Sequence, residues 1–156
     1  MSSYNAETDF ITRTKNILEQ YDQNNSTRQP GEIYDVTLLL NCLIGLVVIP
    51  RERYTDKVPE INVDGDWGIA EHIELIKGRK TLKKTVKHIR NSVAHGNVNP
   101  ISEDGVSITH VKFKDCIPCR NCGGEVTFEA KIPVKALRVF TVKFADIMLD
   151  IINIPH

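Results

Sequence analysis

Along the first 21 residues the apolar positions Phe10, Ile11, Ile17, Leu18 and Tyr21 recur at helical spacing, with Arg13, Lys15, Asn16 and Glu19 between them. That pattern predicts a helix from Thr8 to Tyr21. Asp22 to Gly31 is polar and carries Asn24, Asn25, Ser26, Pro30 and Gly31, which favour a surface loop. A second helix is predicted from Asp35, a suitable N-cap, to a stop before Pro50. Its sides are nearly all apolar, so it must be enclosed, either by other helices of the same chain or by a second copy of the protein.

The periodicity weakens between Arg51 and Arg79, where Pro59, Gly65, Gly68 and Gly78 divide the chain into loops. A short helix is expected around Ile69 to Ile76, with Trp67 as the anchor of the excursion. From Thr81 a third helix is clear: Leu82, Val86, Ile89 and Val93 form one buried stripe, and Gly96 supplies a stop. Val106 to Phe113 and Glu125 to Ile132 alternate as strands of a hairpin, the second with Val126, Phe128, Ala130 and Ile132 on one face. Pro133 then opens a long amphipathic helix through Val134, Leu137, Phe140, Phe144, Ile147, Met148 and Ile151. The expected architecture is mainly α, a bundle of four main helices with a β-hairpin insertion before the last one.

A chain of 156 residues fits a single domain over residues 1–156, and 41% hydrophobic with 26% charged residues is ordinary for a globular protein. Twenty basic residues balance twenty acidic ones, so an avid, sequence-blind nucleic-acid binder is excluded and any contact with phosphate must come from a local patch. The N-terminus lacks the basic start and apolar run of a signal peptide, and the apolar run from Val36 to Ile49 is too short for a membrane span. A cytoplasmic protein with reduced cysteines is expected.

Candidate chemistry concentrates on the third helix. Lys84, His88, Asn91 and His95 follow one another at spacings of four, three and four, which sets them along one face, and Lys87 and Arg90 flank the row. Cations, a titratable imidazole and an amide within about three turns, at roughly 5.4 Å per turn, make a surface suited to a phosphodiester. Arg90 and His95 point about 140° apart on a regular helix of roughly 3.6 residues per turn. They converge only if His95 lies in a distorted last turn, or if two copies of the helix meet in one pocket. The plain alternative is a solvated basic face with His95 at the negative end of the helix.

Arg90-Asn91-Ser92-Val93-Ala94-His95 resembles the signature of the HEPN superfamily: an arginine, a polar residue, a few further positions and a histidine at a helix end. Phe10-Ile11-Thr12-Arg13-Thr14 with Ile17-Leu18, and Asp35 to Leu46, are similar to a plasmid-encoded branch of HEPN nuclease-like proteins; the likeness is looser around Val111 to Asp115 and from Ile132 to Phe144. The resemblance implies a helical bundle that dimerises and cuts RNA without metal. His95 would act as base or acid, Arg90 as phosphate clamp, and Asn91 would orient the scissile group or His95, with Lys84, Lys87 and His88 binding RNA. The implied partners are RNA, a second copy and an antitoxin or defence component. A tyrosine two residues after the histidine, found in many HEPN toxins, is here Asn97. A binding module that keeps Arg90 and His95 without cleaving is the alternative.

Cys116, Cys119 and Cys122 form overlapping Cys-x2-Cys pairs followed by glycines, the pattern of a zinc knuckle one ligand short of four. His110, Asp115 or a second chain could complete a structural zinc site; reduced thiols at a hairpin tip are the alternative. Cys42 reads as a core residue. His72 with Glu71 and Glu74 reads as a solvated polar face.

Overall fold

The computed structural model describes residues 8–25, 35–48, 55–117 and 123–153. Contacts divide the chain into two compact units, Met1–Val58 with Thr141–His156, and Pro59–Phe140.

In the first unit, α1 (Thr8–Asn24) buries Ile11, Thr14 and Leu18, one stripe at spacings of three and four. The helix runs three residues beyond the predicted end, taking in Asp22 to Asn24, because none of these positions forbids another turn. The rest of the predicted loop, residues 26–31, lies outside the described residues. α2 (Asp35–Val48) buries Val36, Leu39, Cys42, Leu43, Leu46 and Val47, while Thr37 and Asn41 remain exposed. Gly45 lets α1 approach: a Cβ there would lie 2.8 Å from Cζ of Phe10. From the second half of the last helix, Thr141, Phe144, Ala145 and Met148 are buried in the same unit, and Lys15 bonds Asp146 at 2.7 Å. The Asp146 carboxylate raises the pKa of the Lys15 ammonium above its ordinary value.

The second unit corrects the predicted fold class. It is built on a four-stranded antiparallel sheet, β1 (Ile73–Ile76), β2 (Val98–Ile101), β3 (His110–Ile117) and β4 (Glu125–Pro133), in the order β1-β4-β3-β2. The expected hairpin is its centre, and each outer edge of that hairpin is paired with a four-residue strand drawn from segments on either side of α3 (Leu82–Ala94). The physical reason is that backbone groups of the two hairpin strands need partners on both sides once one face is buried. A helical bundle with a hairpin insertion is therefore not the architecture. Residues 69–76 are a 3-10 turn (Ala70–His72) followed by β1, not a short helix.

The first hairpin strand also starts four residues later than the alternation suggests. Asp104 accepts from the backbone N–H groups of Ser107 at 2.8 Å and Val106 at 2.9 Å, which takes both amides out of any ladder and leaves Val106 80% exposed. Those hydrogen bonds, Ser107 first, hold the Asp104 carboxyl far below the usual carboxylate range.

The buried face of the sheet presents Val111 and Phe113 from β3, Phe128, Ala130 and Ile132 from β4, and Ile73 from β1. α3 packs on β3 and buries Leu82, Thr85, Val86, Ile89 and Ser92. Trp67, 3% exposed, closes the excursion against Phe140 with ring centroids 5.9 Å apart. Pro133 ends β4, and the last helix, α4 (Val134–Ile152), begins one residue later. On the strands' other face Lys112 reaches Glu129 at 2.6 Å and Lys131 reaches Glu103 at 2.8 Å.

Candidate functional site

Helix α3 is bounded at both ends by hydrogen-bonded caps. Thr81, at φ −100° and ψ 156°, accepts from the Lys84 N–H through Oγ1 at 3.4 Å, while the Leu82 N–H reaches the Ile61 carbonyl at 2.8 Å. At the other end the Asn97 N–H bonds the Ser92 carbonyl at 2.7 Å and the Gly96 N–H bonds Val93 at 3.1 Å. This 6→1 and 5→2 pair is a Schellman ending, and Gly96 takes the left-handed conformation it requires, φ 69°. His95 is the C-cap, at φ −100° and ψ 6°, outside helical geometry and exposed. Its imidazole has no hydrogen bond among the described residues.

The row Lys84, His88, Asn91 and His95 does not present one uniform surface. His88 and Asn91 sit in the seam between α3 and β3, where both meet a single oxygen of Asp115: His88 Nδ1 lies 2.8 Å from Oδ2, and Asn91 Nδ2 donates to it at 3.0 Å. The side chain of His88 is 13% exposed and that of Asp115 4%. The His88 ring lies flat on Phe128, centroids 5.1 Å apart and planes 1° apart. Ser92 Oγ bonds the His88 carbonyl at 2.8 Å and secures the same turn of helix. His95 lies beyond this cluster, one turn past Asn91, in the chain reversal that leads to β2.

Arg90 is half-buried and belongs to the neighbouring row Lys83, Lys87, Arg90, spaced four and three. Lys87 is exposed; Lys83 and Lys84 are half-buried. These residues belong to a longer charge pattern. Between Glu74 and Glu103 there is no acidic residue, yet seven Lys or Arg occur: Lys77, Arg79, Lys80, Lys83, Lys84, Lys87 and Arg90. Lys77 is paired with Glu125, and Lys80 Nζ donates to the Ala70 carbonyl at 2.7 Å. A chain of zero net charge thus carries a strongly cationic stretch on and before α3.

Asp115 is the residue that the motif-based reading leaves out of the α3 cluster. Its signal was available: in Val111, Phe113, Asp115 a carboxylate takes the third place on an apolar strand face. Cys116, which follows it across a β-bulge, is buried. Cys119 and Cys122 lie outside the described residues, as does any site they would complete. Of the further ligands considered, Asp115 is engaged by His88 and Asn91, and His110 Nδ1 lies 2.9 Å from Thr109 Oγ1 and 3.5 Å from Glu103. Cys42 is a buried residue of α2. No helix among the described residues is long and apolar enough to cross a membrane.

The Arg90 to His95 block, which resembles the HEPN signature, ends on the helix C-cap. The chain belongs to the family described as HEPN pEK499 p136, whose model matches residues 1–154. No curated protein and no solved structure matches it.

Proposed function

We propose that this protein is a metal-independent endoribonuclease whose working residues are Arg90, Asn91 and His95. The observation that carries the reading is the ending of α3. The Schellman turn sets the His95 imidazole in solvent at a non-helical backbone position, one turn beyond Asn91 and at the end of the cationic stretch. Because the helix is regular up to His95, convergence of Arg90 and His95 on one phosphate calls for a second copy of the helix.

In the proposed reaction the ribose 2′-oxygen attacks the adjacent phosphorus and gives its proton to His95. The bond from phosphorus to the 5′-oxygen breaks, that oxygen takes a proton from water, His95 returns its own to solvent, and the upstream fragment ends in a 2′,3′-cyclic phosphate. An imidazole can take up a proton and give one back near neutrality, which suits either transfer. Arg90 stabilises the charge that grows on the non-bridging oxygens. Lys84, Lys87 and the other cations of the stretch hold the strand by its phosphates and carry no sequence information. The family resemblance supports a homodimer with two such sets in one cleft, and it alone suggests a toxin or defence setting with a partner antitoxin. No cofactor takes part, and a structural zinc at Cys116, Cys119 and Cys122 would lie outside the reaction.

A second reading draws on the Asp115 cluster. Because Asn91 and His88 are both tied into the fold, the cationic surface could serve a binding module that takes up RNA and leaves it intact. One experiment separates the two: labelled single-stranded RNA is incubated in EDTA with the wild type, Arg90→Ala and His95→Ala. Cleavage by the wild type alone supports the enzyme. Binding without cleavage supports the module, and equal cleavage by all three points to a contaminant.

A further inference from the structure

Alternation along β3 puts Val111, Phe113 and Asp115 on one face, and all three are buried, Asp115 at 3% exposure. A carboxylate in that place is costly unless donors meet it, and an apolar side chain would fill it at lower cost. The fold instead holds it firmly. The strand bulges between Asp115 and Cys116, and Thr127 Oγ1 donates to the Asp115 carbonyl at 3.2 Å. Phe128, the cross-strand partner of Asp115, is the platform on which the His88 ring lies. Bulges commonly re-aim a side chain in this way.

An ionised carboxylate can only accept hydrogen bonds, and this decides the chemistry of both neighbours. The atom of Asn91 facing Asp115 must be the amide nitrogen, so Oδ1 is turned to the other side. The His88 nitrogen facing Asp115 must carry the hydrogen, so in the neutral ring the lone pair is on Nε2. Asn91, which follows Arg90 in the helix, therefore offers an acceptor. An acceptor repels phosphate oxygens and receives a hydroxyl.

We infer that Asp115 is a positioning residue that turns the Asn91 Oδ1 toward the 2′-hydroxyl of a ribose flanking the attacking one and fixes the His88 tautomer, so that preference for RNA over DNA in binding begins at Asn91. The inference rests on the ribonuclease reading for its substrate, but not for its geometry. Two measurements test it. In 15N-labelled wild-type protein at alkaline pH, long-range imidazole spectra should show His88 as the Nδ1–H tautomer. The opposite tautomer overturns the inference, and this readout requires no variant and no activity.

The second measurement compares the affinity of a single-stranded RNA with that of its 2′-deoxy counterpart, in a His95→Ala background that prevents turnover. Asp115→Asn keeps shape and volume but can donate as well as accept, so it no longer enforces either orientation. The expected result is a preference for RNA that falls by about 3- to 10-fold in Asp115→Asn, the worth of one hydrogen bond, with affinity for the deoxy strand unchanged. An unchanged preference overturns the inference, and so does an equal loss of affinity for both strands. If wild-type protein binds RNA as proposed but does not cleave it, the nuclease reading falls and the positioning role stands on these two results.

Discussion

Gly96→Ala isolates the geometry on which His95 depends. Gly96 stands at φ 69°, and a Cβ built there meets nothing within 4 Å, so the substitution introduces no clash. What remains is the left-handed conformation, which costs an L-residue roughly 1–2 kcal/mol. Alanine also restricts the unfolded chain, which returns about 0.4–1 kcal/mol. The net destabilisation centres on ~0.8 kcal/mol, or a fall in Tm of about 2–3 °C for a chain of this size. Gly96→Asn should lose less, because asparagine tolerates this conformation. Gly65→Ala is the control: its Cβ also meets nothing within 4 Å, but its φ is not in the left-handed region. Thermal melts followed by circular dichroism read all three. If Gly96→Ala melts at or above the wild-type temperature, the Schellman ending is not the conformation in solution, and the placement of His95 built on it fails.

Three other expectations follow from separate parts of the molecule. Thr85 is fully buried and its Oγ1 has no hydrogen-bond partner among the described residues, so Thr85→Val should raise stability by about 1 kcal/mol in a denaturant titration; a loss would show that the hydroxyl is satisfied in solution. Lys84 and Lys87 are proposed to engage one phosphate each, so together they should contribute about 7-fold to the fall in RNA affinity between 50 and 200 mM salt. In Lys84→Gln/Lys87→Gln the fall should be smaller by about that factor, measured in the His95→Ala background; an unchanged salt slope would remove these lysines from the interface. The hydrogen bond from Lys112 lowers the Glu129 pKa below its ordinary value, so the stabilisation is complete above that value and is lost as pH falls through the folded one. Lys112, whose pKa the same bond raises, loses its share as pH rises through its own folded value. The stability gap between wild type and Lys112→Met should therefore close at both acid and strongly alkaline pH, and a constant gap would refute the pairing.

Long amphipathic helices were the legible part of this sequence. α1, α2, α3 and α4 follow from apolar spacing, and Thr81, Gly96 and Pro133 mark ends that lie within a residue of those observed. The outer strands were not legible. Ile69, Ile73 and Ile76 fall at spacings of four and three, as in a helix, but Ile73–Ile76 is an edge strand whose hydrogen bonds come from β4, a partner some fifty residues away that periodicity does not register. β2 is four residues long and contains Pro100, which reads against a strand and is tolerated because β2 is also an edge. At the site, the helix end was visible from Gly96, and the Arg90 to His95 block from its resemblance to the HEPN signature. The seam was not, because the contact of His88 and Asn91 with Asp115 depends on which strand lies under α3.

The central claim is that the chemistry uses the ribose 2′-hydroxyl and needs no metal. Its most direct test is a single-stranded RNA cut by the wild-type protein in EDTA, compared with the same strand carrying one 2′-deoxynucleotide immediately 5′ of the cleaved bond. The account predicts a 2′,3′-cyclic phosphate end on the all-ribose strand, and complete loss of cleavage at the substituted position with other sites unaffected. Cleavage that continues at the deoxy position, or that requires added metal, would contradict it.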